Sequence, residues 1–543
     1  MSNRIVIIGG LSAGPSAAAK ARREDENAEI LLFEKTNHIS YATCGIPYAL
    51  SGKIKDRDKL LVVKPQLLES RFKVEMHLNE PVEAIDTENK TVQTNQGSYH
   101  YDKLIYAAGA FAFTPDIKGL KENPNWAHAK SLEDYDRIIK SEAFQKAKRV
   151  SIIGAGLIGL ETAENLVEKG LEVNVIERGQ TVLGPWGQSF GYMAGEILKD
   201  HGVNLRTGSE VVELAEDGSL ILDSGESLDS DFLIVSIGVI PNTGLLKDRG
   251  VETIGNGAIV VNDHMETSIK DVYAAGDCAA IPDQILNQSG WFPMGTHSNK
   301  AGRVAGVNAV GKNEVFKGGY GTAIMQLFDH TISKTGKNAR DLERAGIPFE
   351  RTLIIAGVTP GFYPDPSDLI LEIFYHAESH RILGAELLGK KGVDKRTDVL
   401  ATAIYAKLSI DDLPQLDLAY APPYSPAKDP VVVAGFVAGN SMSKSYKEVG
   451  VEAAESLIDS KQDLQVLDLR NPGELKAGKI DASINIPLDQ LRERLDELDS
   501  NKPTLVYCAK GLRGYLGTLI LAQHGFGKLY NLAGGFTMWN KLH

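Results

Sequence analysis

Two copies of one local pattern predict an α/β fold class for this chain. In each copy an apolar strand runs into a glycine-rich turn and then a helix: RIVIIGGLSAGPSAAAKARRE at 4–24 and RVSIIGAGLIGLETAENLVEKGLEVNVIERG at 149–179. This order is typical of Rossmann-like domains, which bind dinucleotides. Alternating strands and helices after residue 318, and a change of pattern near residue 441, predict two further domains in the 543 residues.

Composition and charge are those of an ordinary globular protein. Hydrophobic residues make up 43% and charged residues 24% of the chain. The net charge of −13 argues against a nucleic-acid or anionic-membrane partner. The apolar run in MSNRIVIIGG is too short for a signal peptide, and no long uncharged apolar stretch follows it. Three cysteines, an odd and sparse number, fit a reducing compartment, so we expect a cytoplasmic location.

The first glycine turn is expected to bind a pyrophosphate. Gly9 is expected to make the tight turn, and Gly14 to let the helix pack closely against the strand. The middle position of the GxGxxG fingerprint is Leu11, so the match is imperfect. The next strand, AEILLFEK, ends in Glu34 and Lys35, and a carboxylate at this place accepts hydrogen bonds from ribose hydroxyls.

The second unit carries the full fingerprint and predicts an NADH site. Gly154, Gly156 and Gly159 stand at the three glycine positions, and Glu177 closes the following strand. A negative charge there repels a 2′-phosphate, which favours NADH over NADPH, although Arg178 adjoins it.

Two further stretches indicate which family of dinucleotide-binding proteins this is. YDKLIYAAGAFAF (101–113) and TSIKDVYAAGDCAAI (267–281) are apolar strands that end in small residues. With the two glycine units, they resemble the flavoprotein disulfide reductases over residues 1 to about 435. The resemblance implies bound FAD, with Ala108, Gly109 and Asp277 among its contacts. Cys278, beside that aspartate, is interpreted as a small buried hydrophobe.

The resemblance also implies a domain order. An FAD domain is expected at 1–120 and 245–322, an NADH domain at 121–244, and an α+β dimerisation domain at 323–440. That third region has the alternating strands LILEIFY and RILGAELLG before a helix. We therefore expect a homodimer, joined by apolar burial between two such domains.

The short stretch SYATCGIPYAL (40–50) contains the candidate redox thiol, Cys44. Relatives similar to glutathione reductase have a Cys-x4-Cys pair in this region, but this chain has one cysteine there. A single thiol cannot close an internal disulfide, so its oxidised form must be a mixed disulfide or a sulfenic acid. The single-cysteine class contains peroxidases, NADH oxidases, and reductases of coenzyme A disulfides and persulfides.

Three features help to choose within that class. The peroxidases have a histidine at the position of Ser12, so their acid–base group is missing here. The basic residues of KARRE suit the phosphates of coenzyme A, and the residues predicted to bind it are Lys20, Arg23, Ser40 and Thr43. A solvated helix face explains these basic residues equally well.

The third feature is a pair of tyrosines. GFYPDP (361–366) and LAYAPPYSPAKDP (418–430) resemble the segments of coenzyme A disulfide reductases that bring tyrosines to the cysteine across a dimer interface. Tyr363 and Tyr424 match those tyrosines, whereas Phe362 stands where many relatives have a second tyrosine. A phenol near the sulfur donates a hydrogen bond or a proton to a leaving thiolate.

A second catalytic module is predicted at the C-terminus. After a polar linker at 441–452, residues 453–543 contain a strand that runs into Cys508, a short loop AKGL, and Arg513 at the start of a helix. Inward-pointing loop amides and the helix dipole favour a thiolate or persulfide there. This resembles a rhodanese domain, with Asp468, Arg470 and Glu474 in its first-half signature. Phosphatase loops of the Cdc25 type are the alternative, but they place five residues between cysteine and arginine.

Both modules together resemble the fused coenzyme A disulfide reductase–rhodanese proteins, also described as NADH-dependent persulfide reductases. The resemblance implies reduction of persulfides, polysulfides and coenzyme A disulfide at Cys44, with sulfane sulfur carried on Cys508. Coenzyme A is either a bound group or a substrate, and no metal site is predicted. Two alternatives stay open: an NADH oxidase or peroxidase that uses a Cys44 sulfenate, and a non-catalytic sulfur-binding or redox-sensing protein.

Overall fold

A computed structural model describes residues 3–442, 445–460 and 463–543. They form two compact units. One unit contains Met1–Leu183 and Leu198–Tyr320, and the other contains Gly184–Ile197 and Gly321–His543. Each unit has its own sheets and is described by itself.

Residues 3–320 contain the strands β1 to β21 and the helices α1 to α9. In chain order the strands are Arg4–Ile8, Glu29–Glu34, Glu75–Leu78, Val82–Asp86, Thr91–Thr94, Ser98–His100, Lys103–Tyr106, Ala110–Ala112, Trp126–His128, Arg149–Ile153, Glu172–Glu177, Asn204–Thr207, Val211–Leu214, Leu220–Leu222, Ser227–Leu228, Phe232–Val235, Val239–Pro241, Ile259–Val260, Val272–Ala274, Ala279–Asp283 and Gln288–Gly290. The helices are Ala13–Glu24, Ile46–Ser51, Pro65–Phe72, Leu132–Lys140, Glu142–Lys146, Leu157–Glu168, Gln188–Asp200, Gly244–Lys247 and Gly295–Ala309.

The first nucleotide-binding fold is a parallel sheet of five strands in the order β19-β7-β1-β2-β3. Strand β1 pairs with β2 on one side and β7 on the other, with Ile7 opposite Leu32 and Ile105. All three side chains are fully buried, as a parallel sheet covered on both faces requires. Helices α1 and α9 pack together, and Gly302 of α9 lies directly against Ala13.

The second fold repeats the first with the strand order β12-β11-β10-β16-β9, again all parallel. The central strand β10 places Ile152 between Val175 and Ile234, and all three are fully buried. In both folds the helix that follows the glycine turn starts at the carboxyl end of the first strand. This edge of the sheet is where α/β proteins bind their ligands. The α/β fold class is therefore confirmed for this unit.

The second unit contains most of helix α7, together with strands β22 to β31 and helices α10 to α15. The strands are Ala323–Leu327, His330–Gly336, Phe349–Gly357, Asp368–His376, Ile382–Gly389, Lys447–Val449, Gln465–Asp468, Ile484–Asn485, Thr504–Tyr507 and Leu529–Leu532. The helices are Ala339–Ala345, Val393–Tyr405, Pro430–Ser441, Val451–Asp459, Leu512–Gln523 and Gly535–Leu542. The described residues also contain six short 3-10 turns, at Thr43–Gly45, Arg57–Leu60, Ile410–Gln415, Pro472–Ala477, Leu488–Glu493 and Leu495–Glu497.

Two sheets of different type organise this unit. An antiparallel sheet has the order β22-β23-β26-β25-β24, which leaves β24 at an edge. A parallel sheet has the order β27-β31-β30-β28-β29, with the strand that ends before Cys508 at its centre. Both match the α+β and α/β regions expected from the sequence.

Part of the predicted linker 441–452 is ordered structure. Residues 447–449 form β27, and the last linker residues begin α13. Ser443 and Lys444 of the linker lie outside the described residues. The domain limits given above stay predictions. In the part of the chain that the structure describes, no helix is both long and apolar enough to cross a membrane.

Candidate active sites

The first glycine turn and the start of α1 form a concave backbone site, called the cradle below. Two of its positions leave no room for a side chain. Gly9 has a φ of +108°, and a Cβ on it would lie 2.2 Å from the Ala107 carbonyl oxygen. A Cβ on Gly14 would lie 1.9 Å from the carbonyl oxygen of Gly9. The missing side chain at Gly14 lets helix α1 approach the end of β1, and the missing side chain at Gly9 lets the turn approach Ala107. Within the described chain Ser12, the N-cap residue, makes no side-chain cap, so the first N–H groups of α1 remain available to a phosphate.

Two carboxylates belong to this cradle. Glu34 accepts hydrogen bonds from the N–H of Gly10 (2.8 Å) and from the N–H of Thr36 (2.9 Å). Asp277 accepts a hydrogen bond from the Ser298 hydroxyl (3.1 Å), directly after Gly276, whose Cβ would lie 3.2 Å from Ala13 Cβ at the start of α1. Glu34 and Asp277 thus lie at the first glycine turn and the start of α1, and these groups fit a dinucleotide; their role in binding it stays a prediction.

Basic side chains and small residues complete the surroundings of that cradle. Lys35 is exposed beside Glu34, and Gly109 has a φ of +68° at the end of β7, next to Ala108. Lys130 was not identified from the sequence. Burial lowers its pKa, and the charges of Asp277 and Lys35 also act on that pKa. Lys130 lies 95 residues after Lys35, so only the fold brings it here.

The second glycine turn has the same construction. Gly154 has a φ of +98°, and a Cβ on Gly159 would lie 2.1 Å from the Gly154 carbonyl oxygen. Gly156 is the N-cap of α6, and among the described residues no atom lies within 4 Å of where its Cβ would be. Glu177 accepts hydrogen bonds from the N–H groups of Ala155 (2.8 Å) and Gly179 (2.7 Å). The predicted NADH-binding residues are therefore adjacent in space.

Cys44 is an exposed free thiol at the start of a short helix. It lies in the 3-10 turn Thr43–Gly45, which leads into α2. Helix α2 packs against α6 of the second nucleotide fold, where Ser51 donates a hydrogen bond to the Asn165 side chain at 2.8 Å. The thiol therefore sits on an element that joins the two nucleotide-binding folds.

The second thiol of this unit is chemically unlike Cys44. Cys278 is fully buried and donates hydrogen bonds to the carbonyl oxygens of Tyr106 (3.4 Å) and Ala275 (3.3 Å). Burial is the main cause that raises the pKa of Cys278 to about 12. A thiol of this kind is protonated and inert at neutral pH.

Two residues near Cys44 were not identified from the sequence. Tyr48 follows it by one helical turn, and its pKa is raised to about 12, chiefly by burial and then by the charges of Glu161, Glu164 and Cys44. Glu161, on α6, has its pKa raised to about 7 by burial and by the neighbouring Glu164. The signal in the sequence is a carboxylate two residues after the last fingerprint glycine, in the first half of the helix that follows it.

The basic residues of α1 have partners of their own. Lys20 forms an ion pair with Glu24, and Arg23 donates a hydrogen bond to the Ala19 carbonyl oxygen at 3.0 Å. Arg22 is buried and donates hydrogen bonds to backbone carbonyl oxygens, including that of Phe72 at 2.8 Å. Arg22 is therefore a structural residue. Coenzyme A binding by Lys20 and Arg23 stays a prediction.

The other two residues predicted to bind coenzyme A flank Cys44 in sequence. Ser40 has a φ of +44°, and its carbonyl oxygen accepts a hydrogen bond from the N–H of Val62 at 2.8 Å. Thr43 directly precedes the thiol and begins the 3-10 turn. Coenzyme A binding by Ser40 and Thr43 stays a prediction.

The two candidate tyrosines belong to the second unit. Tyr363 lies in the loop between β24 and β25, where its N–H donates a hydrogen bond to the Pro360 carbonyl oxygen at 2.9 Å. Tyr424 is 70% exposed, and its carbonyl oxygen accepts a hydrogen bond from Arg396 at 3.4 Å. Arg396 forms a buried ion pair with Asp429 at 2.8 Å, which holds the loop of Tyr424 in place. Tyr424 therefore lies at the surface, in a loop that is fixed by a buried ion pair.

The third thiol, Cys508, directly follows the central strand β30 and is only 2% exposed. Its Sγ accepts a hydrogen bond from the N–H of Gly511 at 3.2 Å, just before α14. Its carbonyl oxygen accepts a hydrogen bond from the N–H of Phe536 at 2.7 Å. The neighbouring Gly535 has a φ of +55°, and a Cβ there would lie 2.3 Å from that same oxygen. The loop therefore closes tightly around one sulfur atom.

The charged residues of the rhodanese-like signature form two ion pairs around this loop. Arg513 donates two hydrogen bonds to Glu474, at 2.7 and 2.6 Å, and this pairing lowers the pKa of Glu474 to about 2. Asp468 and Arg470 form a second pair at 2.7 Å, fully buried beneath the Phe536 ring. The sequence makes Arg513 a candidate catalytic residue, and that role stays a prediction. Its pKa is raised mainly by Glu474, with Cys508 a smaller cause.

Three family profiles match this chain and together cover most of it. The pyridine nucleotide-disulphide oxidoreductase profile matches residues 3–290, and the dimerisation domain of the same class matches residues 322–430. A rhodanese-like domain matches residues 451–542. The order of the three agrees with the order predicted above.

Known proteins resemble the chain over most or all of its length. The NAD(P)H coenzyme A polysulfide/persulfide reductase of Pyrococcus horikoshii is 35% identical, over 80% of this chain and 98% of that protein. The crystal structure of reduced Bacillus anthracis CoADR-RHD is 36% identical with a TM-score of 0.96, and covers 100% of this chain and 98% of that one. An NAD-dependent persulfide reductase from A. fulgidus is 33% identical with a TM-score of 0.91, over 99% and 100% of the two chains. The chain therefore belongs to the pyridine nucleotide-disulphide oxidoreductase family and carries a rhodanese-like domain at its C-terminus.

Proposed function

We propose that this chain is an FAD-dependent, NADH-driven reductase of persulfides, polysulfides and coenzyme A disulfide, with Cys44 as its redox thiol. The observation that carries the proposal is the state of the thiols in the nucleotide-binding unit. Cys44 is exposed and free at the junction of the two nucleotide folds, whereas Cys278 is buried and protonated. The similar proteins named above act on the same class of sulfur compounds.

The cofactors fit residues of this chain. The family implies FAD and NAD(P)H; FAD would be held by the cradle of Gly9, Gly14, Glu34 and Asp277, and NADH by the second glycine turn with Glu177. When bound, these cofactors supply the two electrons that the reduction needs. The carboxylate of Glu177, with two backbone N–H partners, disfavours a 2′-phosphate and supports NADH.

Cys44 performs the sulfur chemistry. Its thiolate attacks the inner sulfur of a persulfide R–S–SH, the sulfur–sulfur bond breaks, and HS⁻ leaves with the bonding electrons. Two electrons and a proton then cleave the Cys44–S–S–R bond, releasing R–SH and restoring the thiolate. Coenzyme A disulfide reacts in the same way, with one coenzyme A thiolate leaving first.

A homodimer is part of this proposal. The second unit exposes large aromatic side chains, including Phe362 at 79% and Tyr424 at 70%, which is typical of a surface covered by a partner. A dimerisation domain matches this region. In the dimer Tyr363 and Tyr424 donate hydrogen bonds to the leaving thiolate. Cysteines without disulfide partners fit a reducing compartment, and we propose the cytoplasm.

Cys508 carries sulfane sulfur in the proposed cycle. Its loop offers the Gly511 N–H to the sulfur, with the N-terminus of α14 directly behind it. These dipoles favour an anionic sulfur. The carrier delivers sulfur to a thiol acceptor of the reductase, such as coenzyme A.

Anaerobic turnover with NADH tests the proposal. Coenzyme A persulfide, polysulfide and coenzyme A disulfide are compared as substrates, with peroxide and O₂ as the substrates of the oxidase or peroxidase alternative. Cys44→Ser is expected to abolish all NADH-linked sulfur reduction, and Cys508→Ser to spare the reduction of small free persulfides. Faster turnover of peroxide or O₂ than of any sulfur substrate would establish the alternative instead. A yellow protein that NADH never bleaches would indicate the non-catalytic reading.

A further inference from the structure

The rhodanese-like loop carries two cations, and each is already neutralised. Arg513 is engaged by Glu474 through two hydrogen bonds. Lys510 pairs with Asp368 at 2.5 Å across 142 residues of sequence. Asp368 is not part of the rhodanese-like region: it is the first residue of β25, in the antiparallel sheet. A residue of the dimerisation domain therefore removes positive charge from the sulfur-transfer loop.

The remaining rim of the loop is apolar. Leu512 is 70% exposed directly before Arg513, and Leu516 is also exposed one turn later on α14. An exposed leucine beside a buried reactive sulfur offers contact to a hydrocarbon stem and none to a small oxyanion. The loop thus combines neutralised cations, an apolar rim and a sulfur that is itself anionic when it attacks.

We propose that Asp368 sets the donor preference of the Cys508 site: by neutralising Lys510 it disfavours dianionic donors such as thiosulfate and favours organic persulfides. This inference rests on the proposed role of Cys508 as a sulfur carrier. With thiosulfate, the Cys508 thiolate attacks the outer sulfur, the S–S bond breaks, and sulfite leaves with the electron pair. With an organic persulfide the parent thiolate leaves. Neither step needs an external oxidant or reductant.

The expected effect is moderate because the Lys510–Asp368 pair is about half exposed, at 47% and 46%. Exposed charge pairs contribute about 0.2–1 kcal/mol, which is at most about a fivefold change in rate. The effect must also fade with ionic strength, because exposed charges are screened over about 3 Å in 1 M salt. A purely structural role for the pair would show neither the donor selectivity nor the salt dependence.

Single-turnover formation of the Cys508 persulfide tests the proposal in the full-length holoenzyme. The donors are thiosulfate and the persulfide of 2-mercaptoethanol, and peptide mass spectrometry distinguishes thiolation of Cys508 from that of Cys44. At low salt, Asp368→Asn is expected to raise the rate with thiosulfate about three- to fivefold and to change the rate with the organic persulfide by less than about twofold. The gain is expected to vanish near 1 M salt.

Two control variants test whether the charge of Asp368 causes the effect. Asp368→Asn combined with Lys510→Met restores the net charge of the pair and is expected to return thiosulfate to the wild-type rate. Asp368→Glu keeps the neutralising charge and is expected to keep the wild-type donor ratio. An unchanged donor ratio in Asp368→Asn, or an equal loss with both donors, would overturn the inference while leaving the carrier function intact. If neither donor thiolates Cys508 in the wild type, the carrier function itself would be overturned instead.

Discussion

Replacing Glu448 by glutamine is expected to stabilise the second unit at alkaline pH and to leave it unchanged at acid pH. Glu448, on β27, lines a cavity of about 50 Å³ together with Arg351 and Glu372 of the antiparallel sheet. Its Oε2 is buried without a hydrogen-bond partner among the described residues. Burial is the main cause that raises its pKa from 4.5 to about 8, and the charge of Glu372 adds to it.

The sign and size of the effect follow from this shift. Below pH 4.5 both the folded and the unfolded chain carry the proton, so the carboxyl group has no differential effect. As pH rises towards 8 the unfolded chain releases its proton first, and stability falls until the folded pKa is passed. The difference between a pKa of 4.5 and one of about 8 corresponds to about 5 kcal/mol of lost stability above pH 8, because a tenfold change in proton affinity is about 1.4 kcal/mol. Glutamine stays neutral and avoids this loss.

Scanning calorimetry between pH 5 and pH 9 measures the difference. At pH 9 the melting transition of the second unit in Glu448→Gln is expected about 10 °C or more above that of the wild type, given about 2–4 °C per kcal/mol for a unit of this size. At pH 5 the difference between the two transitions is expected to shrink to about 3 °C or less, because most of the loss falls between pH 5 and pH 8.

Glu452→Gln is the matched control, since Glu452 lines the same cavity but is exposed. It is expected to shift the transition by less than about 2 °C at either pH. A Glu448→Gln variant that tracks the wild type across the whole pH range would refute the reasoning.

Three further outcomes are expected. Iodoacetamide at pH 8 should label Cys44 in the native enzyme and leave Cys278 unlabelled until unfolding, because burial raises the pKa of Cys278 to about 12; peptide mass spectrometry reports both sites. Gly159→Ala should raise KM for NADH at least tenfold in steady-state assays, since the new Cβ would meet the Gly154 carbonyl oxygen at 2.1 Å. Glu161→Gln should remove an inflection near pH 7 from the profile of NADH-linked turnover, because the pKa of that carboxyl group is about 7. An inflection that survives the substitution would assign it to another group.

Local spacing predicted the parts of the sites that are local in the chain. Gly14 must lack a side chain because its Cβ would meet the carbonyl oxygen of Gly9 within the same strand–turn–helix unit. Glu34 and Glu177 close the neighbouring strands of their folds and reach the turns through backbone N–H groups. The Cys508 loop is likewise contained in six consecutive residues. Patterns of this length are readable because strand and helix geometry fix where each side chain points.

Contacts between distant segments were not predictable in the same way. Glu161 and Tyr48 become neighbours only when α2 packs on α6, and Lys510 meets Asp368 across 142 residues. Glu448, whose Oε2 is buried, lies in a segment that the sequence predicts to be a polar linker. In the structure this segment forms β27 and joins the parallel sheet. Each of these depends on packing between elements, which composition and periodicity do not encode. These tertiary contacts are also the ones on which the pH and donor-selectivity predictions rest.

Intact-protein and peptide mass spectrometry after anaerobic incubation with coenzyme A disulfide tests the assignment of the redox thiol most directly. The assignment predicts one coenzyme A adduct per chain, located on Cys44, which one equivalent of NADH removes. An adduct confined to Cys508, or a disulfide that joins Cys44 to either of the other cysteines, would contradict it.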